Sequence, residues 1–342
     1  MSTRVTLLVV LAVGSVSAVA LRSHVHAVAP WRDLSPHHVR SIIVDRSVRL
    51  EVLDWGGSGQ PLVLLGCYLT AHVYDDIAPK LRDRFHVYGI TRRGIGASDQ
   101  PADGYSVQRS ADDVRDVMEN LRLQNVVAIG TSCAGQILSL LGAQHAERLA
   151  GLVYLEAADD PTLTGADYDP PFPDPLTLPP LRRPMTVPDN SSFPAYRIAQ
   201  RRDHGVAFPE AELREQFVVH ADGSVGASRL SPQVRQAITV DSRMKPDYAR
   251  IRVPVLAIYR TDLSFDEFSA AYAARSEQER AALRRQYDAT RGMYKRWQQD
   301  LRAGAPAARI VELPGANLYM FLSNEKDVVR ELRAFAATLR GR

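Results

Sequence analysis

Apolar positions along the chain fall into two alternating patterns. Pro61 to Leu65, Phe85 to Ile90 and Val126 to Ile129 are short apolar runs without polar alternation, the pattern of strands buried on both faces, as in a parallel sheet. Between them, Ala71 to Leu81 and Ser110 to Leu121 carry helical spacing. The second has Ser110 as N-cap, Asp113 three residues on, and Val114, Val117, Met118 and Leu121 on one face. Upstream, residues 39–54 read as a strand pair: Ile42, Ile43 and Val44 precede the alternation Val48, Leu50, Val52, and Gly56-Gly57-Ser58-Gly59 supplies a turn. Strand and helix repeating in this order predict a doubly wound, mostly parallel α/β sheet.

The alternation stops after a further strand, Gly151 to Leu155. Nine prolines lie between Pro170 and Pro194, and proline removes backbone donors and breaks helices, so this stretch cannot extend the sheet. Phe193, Tyr196, Phe208, Phe217 and Val218 keep supplying apolar side chains, which a disordered linker lacks. Residues 159–248 are therefore read as a cap inserted over the sheet's carboxyl edge, with 38–158 and 249–342 forming the core. Core signals resume with a strand at Val253 to Tyr259, a long helical region from Phe265 to Leu301, a strand at Arg309 to Leu313 and an amphipathic helix from Asn324 to Leu339.

At 45% hydrophobic and 24% charged, the 342 residues can bury a large core. The net charge of +3 is dispersed, without a basic run that would mark a nucleic-acid footprint. Arg4 followed by the uncharged stretch Val5 to Leu21, with Ala18-Val19-Ala20 within it, reads as an export leader over residues 1–20. Cleavage after the small residues predicts a secreted or periplasmic protein; an uncleaved segment would anchor it to the membrane.

One junction carries chemistry. Val126 to Ile129 runs through Gly130-Thr131-Ser132-Cys133-Ala134 into the helical pattern Gly135-Gln136-Ile137-Leu138. A serine hydroxyl reaches a carbonyl when a sharp strand-to-helix turn lifts it clear of the sheet, and that turn tolerates small residues two before and two after the serine. Gly130 and Ala134 meet this requirement around Ser132. Asp54-Trp55-Gly56, Thr91-Arg92-Arg93-Gly94-Ile95-Gly96-Ala97-Ser98-Asp99 and His145-Ala146-Glu147-Arg148-Leu149-Ala150-Gly151-Leu152-Val153 stand in order around it. With these landmarks the chain, from about residue 40 to its end, resembles the α/β-hydrolase superfamily.

The resemblance implies an α/β-hydrolase fold with a cap, and a small-molecule ester, amide or similar acyl substrate. It implies an oxyanion hole made by the backbone N–H of Cys133 and that of Tyr68, with Cys67 as the near alternative. Gly66-Cys67 stands where the family commonly has His-Gly. The acid that orients the base is implied at Asp262 or Glu156. The base itself is missing: Leu318 occupies the family's histidine position, and leucine cannot take up a proton. Compensation would have to come from His72, His204 or His220. The alternative is a fold that binds a small ligand without turning it over.

Cys67 and Cys133 are the chain's two cysteines. They read as small buried thiols filling space, or as a bridge if an oxidising compartment and the tight Cα geometry both allow it. Neither a metal-ligand spacing nor a glycine-rich dinucleotide loop after the first strand is present, so no metal or nucleotide cofactor is expected.

Overall fold

The computed structural model describes residues 31–174, 189–261, 264–270, 272 and 276–339. Residues 1–20, read above as an export leader, the middle of the proline-dense stretch and Asp262 lie outside the described residues. The chain divides at Leu34/Ser35 into two units, and all that follows concerns Ser35–Arg342.

An eight-stranded sheet organises this unit. β1 (His38–Val44) and β2 (Val48–Gly56) form the expected antiparallel pair, followed in chain order by β3 (Gln60–Leu65), β4 (Phe85–Ile90), α1 (Val107–Asn120), β5 (Val126–Thr131), α2 (Ala134–Gln144) and β6 (Leu149–Leu155). The segment between β6 and the next sheet strand holds α3 (Phe193–His204), α4 (Glu210–Gln216), the hairpin β7 (Phe217–Val219) and β8 (Val225–Ser228), and α5 (Pro232–Asp241). β9 (Val255–Thr261), α6 (Phe265–Ala270), α7 (Glu277–Gly304), β10 (Arg309–Pro314), α8 (Met320–Ser323) and α9 (Glu325–Leu339) complete it. The strand order is β1-β2-β4-β3-β5-β6-β9-β10, parallel from β4 onward.

Both faces of the sheet are covered, which explains the unbroken apolar runs. Leu62, Leu64, Val127, Ile129, Leu256 and Ile258 pack with Phe321, Leu332 and Phe335 of α8 and α9 on one face. Their neighbours Val63, Leu65, Val126, Ala128, Val255 and Ala257 pack with α1, α2 and α7 on the other. A one-residue slip in any central strand would exchange the two sets and break both cores.

Two helix boundaries differ from expectation. Ala71 to Leu81 forms two 3-10 turns, Ala71–Tyr74 and Ala78–Leu81, instead of one helix. Pro79 has no N–H with which to continue a helical ladder through the stretch. α1 begins four residues earlier than read, because Ser106 accepts from the Arg109 N–H as N-cap. Ser110 is buried inside that helix and accepts from Arg92, while Asp113 holds the buried Arg93 through two bonds of 2.6 and 2.7 Å.

Candidate active site

Ser132 follows the last residue of β5 with φ 53°, a left-handed conformation, and α2 starts two residues later. Left-handed backbone is costly for a residue with a Cβ, and here it turns the chain abruptly from strand to helix. The small neighbours have a steric cause. A Cβ on Gly130 would lie 3.0 Å from the Leu138 side chain and 3.2 Å from the Ala134 backbone. Gly135 is tighter still, since its Cβ would sit 1.7 Å from the Ala157 carbonyl oxygen, so β6's exit loop lies directly on the helix start.

The neighbouring strands deliver the other candidates to the same edge. β3 pairs with β5 as Leu65↔Gly130, which brings Gly66, Cys67 and Tyr68 beside Thr131 and Ser132. Among the described residues, the N–H groups of Tyr68 and Cys133 have no hydrogen-bond acceptor. The Tyr68 hydroxyl meets Thr239 of α5 at 2.6 Å, and Arg235 lies over its ring. Thr70 donates through its N–H to Glu212 of α4 at 3.2 Å, and its hydroxyl makes a second bond to the same carboxylate. The β6–β9 segment thus touches the loop that follows β3. Burial, against the bonds from Thr70 and Gln216, pushes the Glu212 carboxyl up to about 7.

The two cysteines correct the reading of separate thiols: Cys67 and Cys133 are joined in a disulfide, with Cα atoms 5.1 Å apart. Parallel neighbouring strands end side by side, and this brings together cysteines 66 positions apart. Arg92 lies behind the bridge, its Nη1 3.9 Å from Cys133 Sγ and its Nη2 2.9 Å from Ser110 Oγ. Burial lowers its pKa to about 10, and among the described residues no carboxylate lies within ion-pair distance of it. Sequence reading passed over this buried cation, since Arg92 stands in a stretch of polar and small residues.

Glu156 follows the last residue of β6 as Ser132 follows that of β5, also with a positive φ of 51°. Its Oε1 accepts from the Arg260 N–H at 2.5 Å and lies 3.6 Å from the Arg260 Nε. Leu318 is half-buried in the loop after β10. Both its neighbours touch His204 of α3: Asn317 donates to the His204 carbonyl at 2.8 Å, and the Tyr319 ring stands 6.1 Å from the imidazole. Partial burial, only partly opposed by Asp203, lowers the His204 pKa and so favours the neutral ring.

The other two histidines sit differently. His220 opens the turn between β7 and β8. His72 is buried between Asp75 at 3.2 Å and Glu51 at 3.5 Å. Burial disfavours its charge, but the bonds and charges of those two carboxylates outweigh it and raise the pKa to about 10. An imidazolium cannot accept a serine proton. His37, His72 and Asp75 place ligand atoms within 4.8 Å of one another and could hold a cation, although here they bond to each other, with Trp55 donating to Asp75 at 3.0 Å. Their positions in sequence carry no metal-ligand spacing.

A cavity of about 550 Å³ opens beside the β9 exit, lined by Arg260, Thr261, Tyr287, Tyr294 and Lys295. Neither Ser132 nor Leu318 lines it, so it is separate from the serine turn.

A mostly parallel sheet that raises a serine on a left-handed turn between strand and helix defines an α/β-hydrolase-type protein, and comparison with known proteins agrees. A sequence model described as the alpha/beta hydrolase fold matches residues 60–219. An AB hydrolase superfamily protein of Bacillus subtilis, YisY, is 32% identical over 37% of this chain and 47% of its own length. A bifunctional esterase/perhydrolase of Acinetobacter calcoaceticus is 29% identical over 34% of this chain and 44% of its own. The chain spans less than half the length of these curated relatives. A crystal structure of E-2-(acetamidomethylene)succinate hydrolase superposes with TM-score 0.63 at 16% identity, covering 87% of this chain and 98% of that one. These likenesses agree on the α/β-hydrolase fold for this chain.

Proposed function

We propose that the protein is a serine hydrolase acting on an ester or related acyl substrate, with activity reduced by Leu318. The observation that carries this reading is the left-handed Ser132 beside the free N–H groups of Cys133 and Tyr68. In the proposed reaction the Ser132 oxygen attacks the acyl carbon, and the carbonyl oxygen, gaining negative charge, moves between those two donors. The leaving group departs with a proton, and water then releases the acyl group from Ser132. Glu156 or Asp262 is the acid of the triad. The esterase among the relatives supports the acyl class.

The weak point is proton transfer. Oxyanion donors and binding alone retain a rate on the order of 10³ to 10⁴ over water when a triad member is missing. Among the described residues His204 lies against the Leu318 loop, and its lowered pKa favours the neutral ring that accepts a proton. Residues 159–248 act as the cap over the site, in keeping with the contacts of Thr239 and Glu212 to the loop after β3. Export is part of the same reading, because disulfides persist in oxidising compartments. Among the described residues no helix is long and apolar enough to cross a membrane.

Leu318 itself favours a second reading, a catalytically silent member that binds a small ligand at the same place. A fluorophosphonate probe separates the two, since it reacts with an activated serine hydroxyl. Labelling that disappears in Ser132→Ala supports the hydrolase. No labelling until Leu318→His is introduced supports the silent binder.

A further inference from the structure

The chain's two cysteines both lie at the mouth of the proposed oxyanion hole. Cys133 carries one donor N–H itself, and Cys67 directly precedes Tyr68, which carries the other. Other contacts hold the loop after β3 from outside: Tyr68 to Thr239, Thr70 to Glu212, and the Ala71 N–H to the Thr91 hydroxyl at 2.8 Å. The disulfide joins that loop to the serine turn directly, and it does so across strand ends already paired through Leu65↔Gly130.

Oxyanion stabilisation depends on both donors meeting one oxygen at hydrogen-bond distance, and loss of one donor costs about 10² to 10³ in rate. A displacement of about 1 Å in such a site is enough to cost on the order of 100-fold. Resting on the serine-hydrolase reading above, we propose that the Cys67–Cys133 disulfide is a redox-removable clamp that sets the spacing of the Tyr68 and Cys133 donors, so that reduction slows acyl transfer without displacing the substrate. Both cysteines are thereby positioning residues.

The chemistry balances with a dithiol as reductant. Its first thiolate attacks one sulfur of the bridge and expels the other cysteine. Its second thiolate then breaks the mixed disulfide and expels the remaining one. The dithiol leaves as a cyclic disulfide, having given two electrons, and two protons end on Cys67 and Cys133. Cys133 is half-buried, so the bridge can be reached. Arg92 and the start of α2 both favour a thiolate at Cys133.

The test uses the full chain, oxidised and after dithiothreitol, at a temperature well below unfolding. Thiols are counted after denaturation and far-UV circular dichroism is recorded throughout. Amide exchange is followed in peptides spanning 64–72 and 130–136, with turnover of a short-chain p-nitrophenyl ester measured in parallel. The expected result is faster exchange in both peptides, by about tenfold, with kcat lower by 10- to 100-fold and KM within about twofold. Reoxidation should restore both, and the double variant Cys67→Ser/Cys133→Ser should ignore the reductant.

Unchanged exchange on reduction overturns the clamp, as does unchanged kcat in a reduced protein that was active when oxidised. Global unfolding on reduction overturns it too, because the bridge would then serve overall stability. An oxidised protein without turnover or serine labelling fails the hydrolase reading by itself. The exchange measurement still decides whether the bridge holds the loop.

Discussion

Ser132 and Glu156 occupy equivalent positions on neighbouring strands: each follows a residue of the last β5–β6 pair, Thr131↔Leu155, and each is left-handed, with φ of 53° and 51°. Left-handed backbone at a residue with a Cβ costs energy and persists where the surrounding structure holds it. Removing the Ser132 hydroxyl should therefore separate strain from chemistry. Ser132→Gly should be more stable than Ser132→Ala by about 1 kcal/mol, since glycine alone accepts the left-handed backbone freely. Both should lose fluorophosphonate labelling. Equal denaturant midpoints for the two variants would mean that the turn is unstrained.

His204 stands against both neighbours of Leu318. If it serves as the base, His204→Gln should lower the labelling rate of Ser132 by about 100-fold. In the Leu318→His background the same change should matter little, because the loop then carries its own imidazole. Identical labelling of the unaltered chain and His204→Gln would remove His204 from the mechanism.

Glu212 predicts a pH dependence of stability. Burial raises its carboxyl from 4.5 to about 7 in the folded protein, so the folded state holds a proton that the unfolded chain releases earlier. Its favourable contribution is complete below pH 4.5 and is lost as pH rises through 7. The loss amounts to roughly 3 kcal/mol. Glu212→Gln should flatten the unfolding free energy between pH 4.5 and 7, as measured by urea titration. An unchanged slope would mean that the carboxyl ionises normally.

The His72 network acts at higher pH. Its folded pKa lies near 10, against 6.5 for a free histidine, because Asp75 and Glu51 outweigh the cost of burial. The stability it adds is fully present below pH 6.5 and disappears as pH rises through 10. His72→Gln should be less stable than the unaltered chain at pH 6 and approach it at pH 10. Imidazole proton resonances that titrate near 6.5 would contradict this.

Much of the core could be read from residue order. Apolar runs without alternation mean strands covered on both faces, and each such run proved to be a strand of the parallel sheet. Gly130 and Ala134 marked the turn because crowding around Leu138 acts within a few residues. Helix starts were less legible. Ser110 and Ser106 are both good caps by type, and burial of Ser110 against Arg92, a long-range contact, decided between them.

The sequence by itself determined the alternation of strands and helices, the small-residue turn at Ser132 and the lack of a histidine at 318, all of which depend on local sterics and side-chain identity. Tertiary structure decided the Cys67–Cys133 bridge, the carboxylates around His72, the Glu212 contact to Thr70 and the closeness of His204 to the Leu318 loop. These depend on which strand ends lie side by side and on which segment folds over them. Distances of that kind join residues tens of positions apart, and no local pattern carries them.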